Sequence, residues 1–275
     1  MTLSKLNLKV IILAAGSQTI EGSPIILQIL GNHRVLDYVV RNARQFVQPD
    51  DIYIVVGSQG ETIKAHLGDE FHYVVQAQPE GTGDALKQVM PLLNDFAGDL
   101  LVLYGDTPLF RQASVRGLLN RHQLRQAHLT LLTAVTHKEY AYGRIIRDGH
   151  GRIIDIIEAD NVLPEVQNIR ELNVGAYIVK ASAIFPALER LSPSPKDGEY
   201  RLTDCIYQLI RSGLRVESHH IYDEDEIQGI NNDEDLNKAT FIIQKRLYRP
   251  RRHEEENKIA FGTGGWRAVI GEGFT

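Results

Sequence analysis

An α/β fold with a doubly wound, mostly parallel sheet is what three features of this 275-residue sequence predict. Short runs rich in Val, Ile and Leu alternate with stretches of helical spacing, the β–α–β–α order of parallel strands linked by crossovers. The runs are nearly continuous in apolar residues, as strands covered on both faces must be. Two of them lead into Ala15-Gly16 and Gly105-Asp106, at the carboxyl ends of strands, where sheets of this kind bind ligands.

The elements follow in order. Residues 9–13 read as the first buried strand. Residues 35–46 place Leu36, Val39, Val40 and Ala43 on one helical face. Residues 51–56 are the next strand, 62–67 a short helix, 73–76 a strand, 83–93 a helix and 100–104 another buried strand. Further on, residues 144–147 and 152–157 flank Asp148-Gly149-His150-Gly151, the pattern of a hairpin. Residues 173–179 read as a strand, 181–191 and 202–210 as helices, 214–221 as a strand, 227–230 as a short strand and 235–247 as a closing helix. Asp233-Glu234-Asp235 caps that last helix. His219 and His220 point to opposite faces of their strand and read as surface residues, and Asp223-Glu224-Asp225-Glu226 reads as a solvated acidic face.

Composition narrows the function. Thirty Lys and Arg against 35 Asp and Glu give a net charge of −5, which excludes a general nucleic-acid binder. Cys205 is the only cysteine, so neither an internal disulfide nor a cysteine-based zinc site can form, and it reads as a small core residue. The apolar run near the N-terminus is too short to span a membrane and lacks a signal-peptide pattern, so a cytoplasmic location is expected. Residues 1–247 read as one domain and the charged, Pro-broken stretch 248–257 as a linker. Residues 258–275, with Phe261-Gly262-Thr263-Gly264-Gly265-Trp266-Arg267, read as the start of a further, truncated domain.

Three loops could carry chemistry. Leu13-Ala14-Ala15-Gly16 ends a strand in small residues, which let a nucleotide approach the backbone, or is an ordinary turn. In Gln76-Ala77-Gln78-Pro79-Glu80-Gly81-Thr82-Gly83, the Gln76 amide could read a base edge and Thr82 could cap a helix, or the loop is a simple N-cap turn. Asp106, beyond a buried strand, is a hard oxygen ligand suited to Mg²⁺, or a turn residue.

Taken in order, these pieces resemble the sugar-1-phosphate nucleotidyltransferases, most of all the N-acetylglucosamine-1-phosphate uridylyltransferase domains of the GlmU type. The likeness continues through Tyr142-Gly143-Arg144-Ile145, Ile157-Glu158, Glu171-Leu172-Asn173-Val174-Gly175, Gly198 to Asp204, and Gly229-Ile230-Asn231-Asn232. It implies a Rossmann-like nucleotidyltransferase fold with a small β-rich sugar-binding lobe. It also implies transfer of a nucleotide from a nucleoside triphosphate to a sugar-1-phosphate, with release of pyrophosphate. By the same resemblance Asp106 and Asn231 act at the reaction centre by holding Mg²⁺. Ala15, Gly16, Gln76, Gly81 and Thr82 would bind the nucleotide, and Gly143, Glu158 and Asn173 the sugar. The tail resembles the opening of α-D-phosphohexomutases, the phosphoglucomutase and phosphomannomutase type, which implies a fused mutase domain as partner.

The chain departs from the family pattern in the loop after Gly16. Where that pattern has Arg and Lys, this sequence has Ile20 and Ile25, and the loop is about two residues shorter. Each missing charge-assisted contact is worth roughly 1.5–3 kcal/mol. The departure implies an alternative, a catalytically impaired domain that binds a nucleotide or sugar phosphate and regulates the attached mutase. Arg34, Arg144 and Lys138 are candidate substitute cations. Ile20→Arg with Ile25→Lys is expected to raise activity if only the cations are missing.

Overall fold

The computed structural model describes residues 7–159, 166 and 168–247. The linker and tail readings for residues 248–275 lie outside the described residues. The chain opens with β1 (Leu8–Ala14), a two-stranded hairpin of β2 (Thr19–Ile20) and β3 (Ser23–Pro24), and a second hairpin of β4 (Ile29–Leu30) and β5 (His33–Arg34). Then come α1 (Val35–Ala43), β6 (Ile52–Val56), α2 (Gly60–Leu67), β7 (His72–Val75), α3 (Thr82–Lys87) and β8 (Asp99–Tyr104). The second half adds α4 (Gln112–Arg125), β9 (Leu129–Val135), β10 (Arg144–Arg147), β11 (Ile153–Ile157) and β12 (Glu171–Lys180). It closes with α5 (Ala181–Glu189), α6 (Leu202–Arg211), β13 (Val216–Ile221) and α7 (Asp233–Leu247).

β8, β1, β6 and β7 lie side by side and parallel, with β1 in the middle. β12 continues the sheet antiparallel to β8, β9 pairs antiparallel with β12, and β13 pairs parallel with β9. The β10–β11 hairpin branches from β12 through the Arg144–Leu172 pair. The predicted architecture therefore stands: a parallel core with an antiparallel extension and a small β lobe. The near-continuous apolar strands have their cause in two cores, one on each sheet face. Alternate residues of β1 serve them in turn, Ile12 packing with Leu36, Ile54 and Leu101, and Ile11 with Val55, Leu86 and Tyr177. Each fully buried aliphatic side chain stabilises the fold by roughly 1.5–3 kcal/mol.

Four local expectations need correction. Residues 227–230 are buried but form no strand; Ile230 instead makes a single backbone bond, N–H to the Asp106 carbonyl at 3.0 Å. The acidic run is not all solvated, because Glu226 is buried and accepts from the Arg111 N–H at 2.7 Å and the Ser114 hydroxyl at 2.9 Å. Its carboxylate serves the orphan donors at the start of α4, where negative charge is favoured. His219 is half-buried, and a Cβ at Gly117 of α4 would lie 2.2 Å from its Nε2, so the missing side chain makes room for the ring. The closing helix starts at Asp233, and Asn232 caps it by accepting the Asp235 N–H at 2.9 Å.

Candidate active site

The carboxyl edge of the parallel strands is where the predicted residues gather. Ala15 and Gly16 leave β1 into the open, and a Cβ at Gly16 would meet nothing within 4 Å. Gly81 begins α3 at φ +112°, and a side chain there would strike the Tyr200 backbone at 2.6 Å. The Gly83 N–H donates to the Tyr200 carbonyl at 2.7 Å, so the Gly81–Gly83 turn is laced to the segment before α6. Gln76 is buried, and its amide nitrogen donates to the Gly81 carbonyl at 3.0 Å and to Asp84 at 2.8 Å. Its donor side thus shapes the turn rather than standing ready for a base edge. Thr82 does not cap α3; its hydroxyl accepts the Leu202 N–H at 3.1 Å and tethers the start of α6.

Beside this turn lies a cavity of about 220 Å³, and three of the sugar-side residues, Gly143, Glu158 and Asn173, line it together with Thr82. Asn173 sits on β12, where the ladder to β9 shifts register between Asn173 and Tyr177. Its backbone N–H donates to the Gly143 carbonyl at 2.9 Å, and its side-chain amide donates to the Tyr177 hydroxyl at 2.7 Å. Glu158 accepts a hydrogen bond from the Thr203 hydroxyl on α6. Gly175, at φ +79°, lets the Tyr104 ring close over the strand, 2.9 Å from where a Cβ would be.

Sequence reasoning missed Tyr104, Tyr142, Tyr177 and Thr203 as members of this wall. Tyr104 directly precedes Gly105-Asp106, and Tyr177 lies two side-chain repeats beyond Asn173 on one strand face, so both carried a positional signal. Burial pushes the Tyr104 hydroxyl up to about 12, with Tyr177 and Thr82 within hydrogen-bonding reach. Tyr142 ties the cavity wall to the following segment: its hydroxyl donates to the Ile227 carbonyl at 2.9 Å and accepts the Gly229 N–H at 3.0 Å.

Asp106 lies in the turn that ends β8, two residues past Tyr104. Its Oδ1 is buried and has no hydrogen-bond partner, and desolvation pushes its carboxyl up to about 6. The Ile230 N–H bond to the Asp106 carbonyl ties down the segment that leads into Asn231, whose side-chain amide donates to Asp235 at 3.5 Å. Asn231 is exposed, and its backbone N–H donates to Asp235 at 3.1 Å. No group of three or more His, Cys, Asp or Glu that could hold a metal by itself occurs among the described residues. A single carboxylate with an amide suits Mg²⁺, which commonly takes one or two protein oxygens and completes its shell with water and substrate phosphates.

The loop after Gly16 is folded, not open. Ile20 is 7% exposed and Ile25 3%, and both sit in a third apolar cluster with Leu30, Leu109, Ala239, Ile242 and Ile243. The loop after Gly16 thereby shares one apolar cluster with α7. Ile25 also donates its N–H to the Gln18 carbonyl at 3.1 Å, and the Gln28 amide donates to the Ile20 carbonyl at 3.0 Å. The candidate substitute cations are engaged elsewhere. Arg34 donates to the Leu27 carbonyl, Arg144 to the carbonyls of Tyr140 and Tyr142, and Lys138 pairs with Glu224 at 2.9 Å.

Comparison with known proteins fits this geometry. Residues 9–226 match the family model described as Nucleotidyl transferase. The chain is 38% identical over 243 residues to the bifunctional protein GlmU of Limosilactobacillus fermentum, covering 88% of this chain and 53% of that protein. It is 35% identical to the same protein from Enterococcus faecalis, with the same coverage. The chain thus spans about half the length of the curated relatives it matches. Among solved structures, a UDP-glucose pyrophosphorylase complexed with UDP-glucose superposes with a TM-score of 0.71 at 17% identity, covering 86% of this chain and 98% of that one. That likeness concerns the fold. Among the described residues no helix is long and apolar enough to cross a membrane.

Proposed function

This chain belongs to the nucleotidyl transferase family, and from that premise we propose that it is a sugar-1-phosphate nucleotidyltransferase of the N-acetylglucosamine-1-phosphate uridylyltransferase type. The observation that carries the reading is the buried, partnerless Asp106 Oδ1 at the carboxyl end of β8, in the turn between Tyr104 and Thr107, which both line the cavity with Thr82, Glu158 and Asn173. Ala15, Gly16, Gln76, Gly81 and Thr82 form the nucleotide side, and Gly143, Glu158 and Asn173 the sugar side. Asp106 and Asn231 would hold Mg²⁺, which when bound offsets the negative charge of the two phosphates.

In the reaction a phosphate oxygen of the sugar-1-phosphate forms a bond to the α-phosphorus of the triphosphate. The bond from the α-phosphorus to the bridging oxygen of the β-phosphate breaks, and pyrophosphate leaves with that electron pair. The nucleophile is already an anion, so no side chain must remove a proton. The protein's part is alignment and charge balance. Glu158 and Asn173 orient sugar hydroxyls, and the turn at Gly81 holds the nucleoside against the backbone.

A separate likeness, that of Phe261 to Arg267 to the opening of α-D-phosphohexomutases, is the ground for proposing a mutase domain fused beyond the linker at 248–257, and the nucleotidyltransferase reading goes with a cytoplasmic setting. A second reading is favoured by the burial of Ile20 and Ile25: a domain of weakened turnover that binds a nucleotide or sugar phosphate and regulates the fused mutase. A coupled pyrophosphate-release assay in Mg²⁺, run across several triphosphates and sugar-1-phosphates, tests the transferase reading. Release with one pair, lost in Asp106→Ala, is the expected result. Absence of release from every pair, with calorimetric binding of a sugar phosphate retained, would decide for the second reading.

A further inference from the structure

Resting on the nucleotide-and-sugar site common to both readings, we infer that this site holds a nucleoside diphosphate sugar in preference to a nucleoside triphosphate. The argument is one of charge. A triphosphate carries about two more negative charges than the diphosphate sugar at neutral pH, and a site must balance them where water is excluded.

The wall that follows β1 offers nothing for that purpose. From Ala15 to His33 there is neither Lys nor Arg, and the one charged residue, Glu21, is an exposed acid. Placing a cation at Ile20 or Ile25 would put it into the apolar cluster they share with Ala239, Ile242 and Ile243 of α7. Arg201, in the cavity lining, and the candidate substitute cations Arg34, Arg144 and Lys138 all have partners within the protein. Arg34 and Arg144 serve backbone carbonyls, Lys138 serves Glu224, and Arg201 serves Asp197. Recruiting Lys138 or Arg201 to a terminal phosphate means breaking an ion pair already made. Arg201, the cation in the cavity lining, is shared between Asp197 and Glu199, and the cavity adds two acids, Glu158 and Glu199. Those groups repel a phosphate tail but suit an uncharged hexose, whose hydroxyls donate to carboxylates and accept from amides and hydroxyls. A Mg²⁺ held at Asp106 would offset a larger share of the charge of a diphosphate sugar than of the higher charge of a triphosphate.

Isothermal titration of the whole chain in Mg²⁺ tests the inference, with UDP-N-acetylglucosamine and UTP as probes and their thymidine and guanosine counterparts alongside. The diphosphate sugar is expected to bind at least tenfold more tightly than the triphosphate of the same base. A triphosphate bound as tightly or more tightly overturns the inference and leaves the transferase reading standing. Failure of every probe to bind overturns both.

A charge insertion gives the second arm. Gln18 is exposed and holds the hairpin only through its backbone carbonyl, so Gln18→Lys leaves the apolar contacts intact. This variant is expected to raise triphosphate affinity at least fivefold while changing diphosphate-sugar affinity less than twofold. Equal change for both ligands, or none for the triphosphate, counts against the charge argument.

Discussion

At the scale of single residues, the site is built from polar groups whose partners are counted one by one. Asp106 departs from that pattern, with a buried oxygen facing no donor. Asp106→Asn is therefore expected to remove Mg²⁺-dependent transfer while making the metal-free protein more stable, by on the order of 1–2 kcal/mol, because a desolvated carboxylate is replaced by a neutral amide. Thermal melts in chelator check this, and a lower melting temperature would show that the carboxylate is held by the fold itself. Tyr177 stands at the other extreme, fully buried and accepting from the Asn173 amide. Tyr177→Phe keeps the ring but strands that amide hydrogen, at a cost of about 1–3 kcal/mol. Titration should show weaker binding of a nucleotide sugar with binding of the free nucleoside diphosphate little changed; equal weakening of both would mean that the hydroxyl matters only to the fold.

At the scale of elements, the sequence was most legible where burial was continuous. The strands that became β1, β6 and β8 announce themselves because both faces are covered, and the loops after β1 and β8 by their small and acidic residues. The stretch 112–135, which holds α4 and β9, went unread, although β9 is buried at six of its seven positions and only α4 lacks a continuous apolar signal. α4 carries Arg116, Gly117, Asn120, Arg121 and His122 among its apolar residues, so its buried stripe is interrupted, and the Gly117 that looks like a breaker is a notch for His219. Glu226 was illegible for a related reason: only the tertiary fold brings the start of α4 to it. Glu226→Ala should cost about 1–3 kcal/mol by leaving two donors unserved, a loss measurable by urea denaturation. The hairpin after Gly16 reverses a sequence-based expectation. Ile20→Arg with Ile25→Lys would press two charges into an apolar cluster and should destabilise the protein by several kcal/mol rather than revive activity. A soluble, fully folded double variant with raised pyrophosphate release would contradict the packing described above.

At the scale of the whole molecule, the parallel core and the β-rich lobe meet along one strand. Addition of Mg²⁺ with UDP-N-acetylglucosamine at a hundred times its dissociation constant should raise stability by about 2.7 kcal/mol, and a melting curve unmoved by that mixture would argue against the site. β12 bonds to β8 through residues 176–180, to β9 along both its ends, and to β10 at Leu172. A strand shared three ways leaves no seam along which one half could come apart while the other persists. Calorimetry of the described region should accordingly record one heat-absorption peak, with tryptic cuts in its interior arriving together and not lobe by lobe.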